Sequence, residues 1–245
     1  MPLGILVGVR FDGAWLPRTL LLAAAAGVTW FWWAGTPAAA GATPGMALIA
    51  VAELLGLLAA LLVAAQLLLI ARVPWLVRTA GAGRLVGRHV TLGATTTLLV
   101  ATHVVAMVAG GALVDGGTPW AELATQLERI DHLPLALAGT VLMLLVGLSC
   151  AGPLRRRLPR RAWYLLHLAI YPAVILASFH QLAAGTHLVG SPWARVVWFV
   201  VYGAVAAALL RWRVGPALVG RLRTAARPAE GAEPELVAAE GSVRA

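Results

Sequence analysis

The residues GRHVTLGATTTLLVATHVVAMVAGG, 87–111, decide the fold. After Arg88 the stretch holds no acidic or basic side chain, and its only ionisable groups are His89 and His103. An α-helix needs about 20 mainly apolar residues to cross the hydrocarbon core of a bilayer, and residues 89–111 meet that length. An ionisable group at such depth is costly and marks function by default. The stretch is therefore both a membrane span and the first candidate for chemistry.

Five further stretches read as spans, near 18–35, 46–71, 133–151, 163–185 and 194–212. With 60% hydrophobic and 12% charged residues over 245 positions, the chain lies outside the range of soluble domains. The expectation is an all-α membrane protein, a bundle of six transmembrane helices. It divides into an N-terminal segment (1–17), the membrane domain (18–213) and a largely disordered tail (214–245) with few large apolar side chains. The first stretch begins too far in, and too many others follow it, for a removable signal peptide.

The formal charge of +9 does not point to nucleic acid, because the charges follow the loops. Arg10 and Arg18 precede the first span, Arg72, Arg78, Arg84 and Arg88 separate the second and third, and Arg155, Arg156, Arg157, Arg160 and Arg161 separate the fourth and fifth. Arg211, Arg213, Arg221, Arg223, Arg227 and Arg244 follow the sixth, whereas the alternate loops hold Arg129 and Arg195 with Asp115, Glu122, Glu128 and Asp131. The excess of basic residues on cytoplasmic loops places both termini in the cytoplasm of a multi-pass plasma-membrane protein. Trp30, Trp32, Trp33, Trp163 and Trp212 fall at span ends, as interfacial aromatics do. A single cysteine, Cys150, precludes an intramolecular disulfide or a thiolate-held cluster.

Four of the six histidines lie on two spans: His89 and His103 on the third, His167 and His180 on the fifth. Spacings of 14 and 13 residues rise about 21 Å and about 19.5 Å, so the pairs match in depth. Zinc or copper ligands would cluster in one sphere, which this separation forbids. The spacing suits two levels, at each of which one imidazole from either helix ligates the iron of a b-type haem. His89 with His167 makes the cytoplasmic level, and His103 with His180 the outer one. Thirteen residues of ideal helix leave His167 and His180 about 140° apart in azimuth, so the fifth helix needs a distortion, for which Pro172 is the candidate.

With Gly87, Arg88, His89 and Gly93 on one helix and Trp163, His167, Tyr171, His180 and Gly185 on another, the sequence resembles the ferric reductase-like transmembrane domain. NADPH oxidases and ferric reductases share that domain, and its third and fifth helices carry such histidine pairs. The resemblance implies iron ligation of two haem b by His89, His103, His167 and His180. It also implies electron flow from a reduced flavin to an extracytoplasmic acceptor. Members of the family continue into flavin- and nicotinamide-binding domains, whereas no dinucleotide fingerprint occurs here. FAD or FMN is thus expected on a cytoplasmic flavoprotein reductase acting as partner, with this chain as an oxidoreductase component. The sequence is similar, too, to the stand-alone haem-binding subunit that serves a periplasmic methionine sulfoxide reductase. A haem-free transporter or scaffold, with structural histidines, is a third reading.

Several residues give weaker signals. Arg88 and Arg195 lie at the inner and outer levels, where haem propionates need cationic partners. His132 and His187, in outer loops, are candidates for touching propionates or an acceptor. Glu53, an acid at membrane depth, is a candidate for proton handling or a buried polar contact near the outer haem. The arginines from Arg155 to Arg161 suit docking of an acidic flavoprotein or anionic lipid. Thr95, Thr96 and Thr97 offer hydroxyls to ligands or to their own backbone.

Overall fold

Threonine–proline pairs start two of the helices. In a computed structural model, which describes residues 15–225, the Thr43 hydroxyl accepts from the Met46 amide (3.2 Å) and the Thr118 hydroxyl from the Ala121 amide (3.3 Å). Pro44 and Pro119 follow at the first helical position, where a missing N–H costs nothing. The described residues are mostly helical, without strands: α1 (Leu16–Gly35), a 3-10 turn (Ala38–Gly41), α2 (Pro44–Ala71), α3 (Pro74–Ala80), α4 (Ala82–Asp115), α5 (Pro119–Arg129), α6 (Leu133–Cys150) and α7 (Gly152–Arg157). There follow α8 (Arg160–Leu168), α9 (Ile170–Ala184), α10 (Thr186–Val189), α11 (Pro192–Leu209), a π-turn (Leu210–Val214) and α12 (Gly215–Ala225).

Among the described residues, five segments are long and apolar enough to cross a membrane: Pro44–Ala71, Ala82–Asp115, Leu133–Cys150, Arg160–Ala184 and Pro192–Gly220. Each coincides with one of the last five expected spans, two of which, 133–151 and 163–185, run one residue past the observed end, and the chain is a multi-pass membrane protein. The first expected span is α1, a 20-residue helix that is not among the five. Arg18, Thr19, Thr29 and three amphipathic indoles dilute its apolar character. Of the expected tail, residues to Ala225 are helical; those from 226 on, like residues 1–14, lie outside the described residues.

Without water to drive apolar side chains together, membrane helices associate through close backbone approach at small residues. The antiparallel α2 and α4 do this at Gly45 and Gly110, where a methyl group on either would meet the other's carbonyl oxygen at 2.8 and 2.9 Å. A methyl on Gly139 of α6 would likewise lie 2.8 Å from the Ala173 carbonyl of α9. Gln66 of α2 donates to the Thr96 hydroxyl of α4 at 2.8 Å, joining the same two helices at mid-depth. Ala59, Val63, Val100, Met143 and Ala173 form the central core; Ala71, Val73, Leu76, Ala80, Leu85 and Ala208 form another at the arginine-rich end. Leu98, Val105, Ile175, Phe199 and Val200 face outward, as lipid-facing side chains do.

The fifth span is broken between its two histidines. Pro172 has no N–H for the carbonyl four residues back, and its ring crowds that carbonyl, so α8 stops at Leu168 and α9 restarts at Ile170. Ala169 between them has ψ of −11° and bonds back three residues, to Leu166, at 3.0 Å. The ideal-helix phase of His167 relative to His180 therefore does not apply.

Candidate functional site

The structure brings His89 and His167 together across the bundle and sets His103 and His180 on the wall of one cavity. His89 of α4 and His167 of α8 lie with ring centroids 6.0 Å apart and planes at 81°. An imidazole nitrogen bonds a transition metal at about 2 Å, so two rings holding one metal from opposite sides have centroids roughly 6 Å apart. Trp163, one helical turn before His167, stacks on its ring at 5.0 Å and 19°. Arg155 of α7 covers the indole, its guanidinium carbon 4.3 Å from the ring centroid. The Cys150 sulfur, at the end of α6, is 3.6 Å from His167 Nδ1. Arg88 sits beside Arg84 and Arg18 of α1, so this end of the bundle gathers positive charge.

His103 and His180 line one cavity of ≈ 260 Å³ between α2, α4, α6, α9 and α11. Its wall is largely apolar, including Leu57, Val63, Val100, Met107, Leu137 and Met143. His103 donates Nδ1–H to the Ala52 carbonyl at 2.7 Å, and its ring lies against Gly56, where a methyl group would come within 3.0 Å. A neutral imidazole has one N–H, so this bond leaves Nε2 as a lone-pair donor, the form a metal requires. Fourteen residues away on each helix the Gln66 carbonyl of α2 lies near His89 of α4, but His89 Nδ1 is buried without a hydrogen-bond partner. His180 Nδ1 is buried without a hydrogen-bond partner.

Other expected residues fall in different places. Glu53 lines the cavity, and Thr186 and His187 reach it from α10: the threonine hydroxyl donates to Oε1, and His187 Nε2 is 3.2 Å from Oε2. Arg195 turns its Nε and Nη2 to the Leu188 and Val189 carbonyls (3.0 and 3.1 Å) and is outside the cavity wall. His132 is exposed, its ring 6.3 Å from that of Phe179. Thr95, Thr96 and Thr97 each return their hydroxyl to the carbonyl four residues back.

A family profile described as ferric reductase like transmembrane component matches residues 55–178, half of the chain. The chain belongs to this family. Domains of the ferric reductase-like family generally bind haem, and membership assigns the chain to transmembrane electron transfer. The match includes His89, His103 and His167 and ends two residues before His180. Glu53 precedes the matched region, whereas His187 and Arg195 follow it. Comparison with curated proteins and with solved structures gives no match.

Proposed function

We propose that this ferric reductase-like chain carries electrons outward across the plasma membrane through two haem b, held between α4 and the broken fifth span. His89 and His167 ligate one iron, and His103 and His180 the other. The observation that carries the reading is the joint pairing: one pair at metal-bridging distance, and the second on a common cavity wall. The buried, unpartnered His180 Nδ1 and the His103 tautomer fixed by Ala52 fit axial ligation as well. Bound there, haem supplies the one-electron chemistry, while the protein fixes position, ligand orientation and polarity.

The remaining residues take supporting roles. Arg88, within the cluster with Arg18 and Arg84, neutralises propionates at the inner level. Arg195 serves the outer level while bracing α10, since a guanidinium has five N–H groups and keeps donors to spare. The Cys150 thiol and the Trp163 ring hold His167 in orientation. Arg155, over Trp163, begins the basic surface on which a cytoplasmic flavoprotein bearing FAD or FMN docks.

The sixth span is α1. Arg18 lies beside Arg88 at the arginine-rich end, whereas Trp32 donates to the Ala50 carbonyl (2.9 Å) and Phe31 meets His187 at the other. A helix of 20 residues is about 30 Å long, the thickness of the hydrocarbon core. With six spans and basic loops inside, both termini are cytoplasmic. An interior-negative potential then favours outward electron flow by about 2.3 kcal/mol per charge per 100 mV.

The test is a reduced-minus-oxidised absorption spectrum of the purified protein, with haem quantified per chain. Bis-histidine haem b at about two per chain is the expected result, in keeping with two independent axial pairs. A colourless protein would mean that the histidines serve structure or a polar path instead.

A further inference from the structure

Glu53 and His187, 134 residues apart in sequence, meet between α2 and α10. An acid at membrane depth is costly unless satisfied, and here each carboxylate oxygen has a partner: Thr186 on one, His187 on the other. The imidazole is clamped from behind by α1. A methyl group on Gly35 would lie 2.7 Å from His187 Nδ1, and the Phe31 ring meets the imidazole edge-on at 5.9 Å. Glu53 and His187 are 19% and 7% exposed, yet both line the cavity shared by His103 and His180, and Thr186 beside them is exposed. The cluster thus links the redox cavity to the surface.

The groups around it leave the pair as the proton carrier. From α4 comes His103 and from α9 His180, both assigned above to iron, together with the amide of Gln181. From α11, Arg195 is engaged with the Leu188 and Val189 carbonyls, and the Tyr202 hydroxyl donates to the Ala60 carbonyl at 3.4 Å. The α1 side presents Phe31 and Gly35, neither of which titrates. A carboxyl and an imidazole in contact share a labile proton that either can hold.

We propose that Glu53 and His187 protonate the acceptor reduced at the outer level, and that this acceptor is a small, apolar quinone-type molecule whose carbonyl oxygens become hydroxyls. The proposal rests on the electron-carrying function above and names its substrate class. A ferric chelate takes an electron and needs no proton, so it gives an intramembrane acid–base pair nothing to do. A quinone takes two electrons and two protons. At each transfer a new O–H bond forms on the carbonyl oxygen as the N–H or O–H bond of the pair breaks. The electrons come from the outer level one at a time, and the pair reloads from the extracytoplasmic side past Thr186. Glu53 lies on a membrane-spanning helix, a depth that favours such a lipid-soluble acceptor over a charged one.

The test uses the full-length haem-loaded protein, chemically reduced and mixed with either a short-chain benzoquinone or a ferric chelate. In Glu53→Gln and His187→Gln the ratio of the quinone rate to the ferric-chelate rate is expected to fall on the order of 10²-fold, the range of lost general acid catalysis. Glu53→Asp should recover part of it, and heavy water should slow the quinone reaction of the parent. A reduced-minus-oxidised infrared difference spectrum should show a deuterium-sensitive carboxyl band that vanishes in Glu53→Gln. An unchanged ratio, with both acceptors slowed alike or neither slowed, overturns the proposal and leaves the cluster a structural latch. A parent that binds haem but reduces neither acceptor overturns the electron-carrying function, and this proposal falls with it.

Discussion

His103→Ala is expected to lose half of the bound haem and keep the other half. His89 and His103 lie on one unbroken helix, α4, with a rise of about 21 Å between them, far beyond the distance at which neighbouring sites couple. Removing one imidazole takes an axial ligand from the outer level and leaves the His89 and His167 pair at 6.0 Å untouched. Haem should fall from about two to about one per chain, with His180→Ala giving the same value and His167→Ala depleting the inner level instead. The double variant His89→Ala/His103→Ala should be colourless while remaining helical. Loss of all haem from a single outer variant that still folds would show that the four histidines do not form two sites.

Gly110→Leu should destabilise the fold by ~3 kcal/mol, the upper range for overpacking a close contact. At Gly110 a first side-chain carbon already meets Ile49 at 2.7 Å and the Gly45 carbonyl at 2.9 Å, so α2 and α4 must separate to admit a larger one. Gly139→Leu should act similarly on α6 and α9, because the obstruction there is the Ala173 carbonyl and not the flexible tip of a side chain. Gly27→Leu is the control: nothing lies within 4 Å of its added carbon, and a change within about 0.5 kcal/mol is expected of an open position. Denaturant titration of helix content in detergent reads all three. Equal stabilities would mean that small residues do not set these crossings.

Five spans and the meeting of His89 with His167 were legible because both follow from local quantities, apolar run length and rise per residue. The extra helix α5 was not, since Thr118, Pro119 and a buried Glu122 bonded to Gln126 lie in a polar stretch without a membrane signal. Pro172 announced a distortion in the fifth helix, and the break falls at Ala169, next to the carbonyl of Leu168 that the proline leaves without a donor. The contact of Glu53 with Thr186 and His187 joins α2 to α10 across most of the chain, and sequence spacing carries no information about it. Arg195 was placed at the outer level from its position alone, whereas its bonds to the carbonyls of α10 are set by the turn at Ser191.

The most direct test of the central claim is electron movement across a sealed membrane. Vesicles containing the haem-loaded protein, with an acceptor trapped inside and a membrane-impermeant reductant outside, would be followed by acceptor reduction over time. Reduction is expected with the parent and its loss in both His103→Ala and His167→Ala, because each removes one of two levels in series. Reduction that persists in either variant at the parent's rate would contradict a path through both histidine pairs.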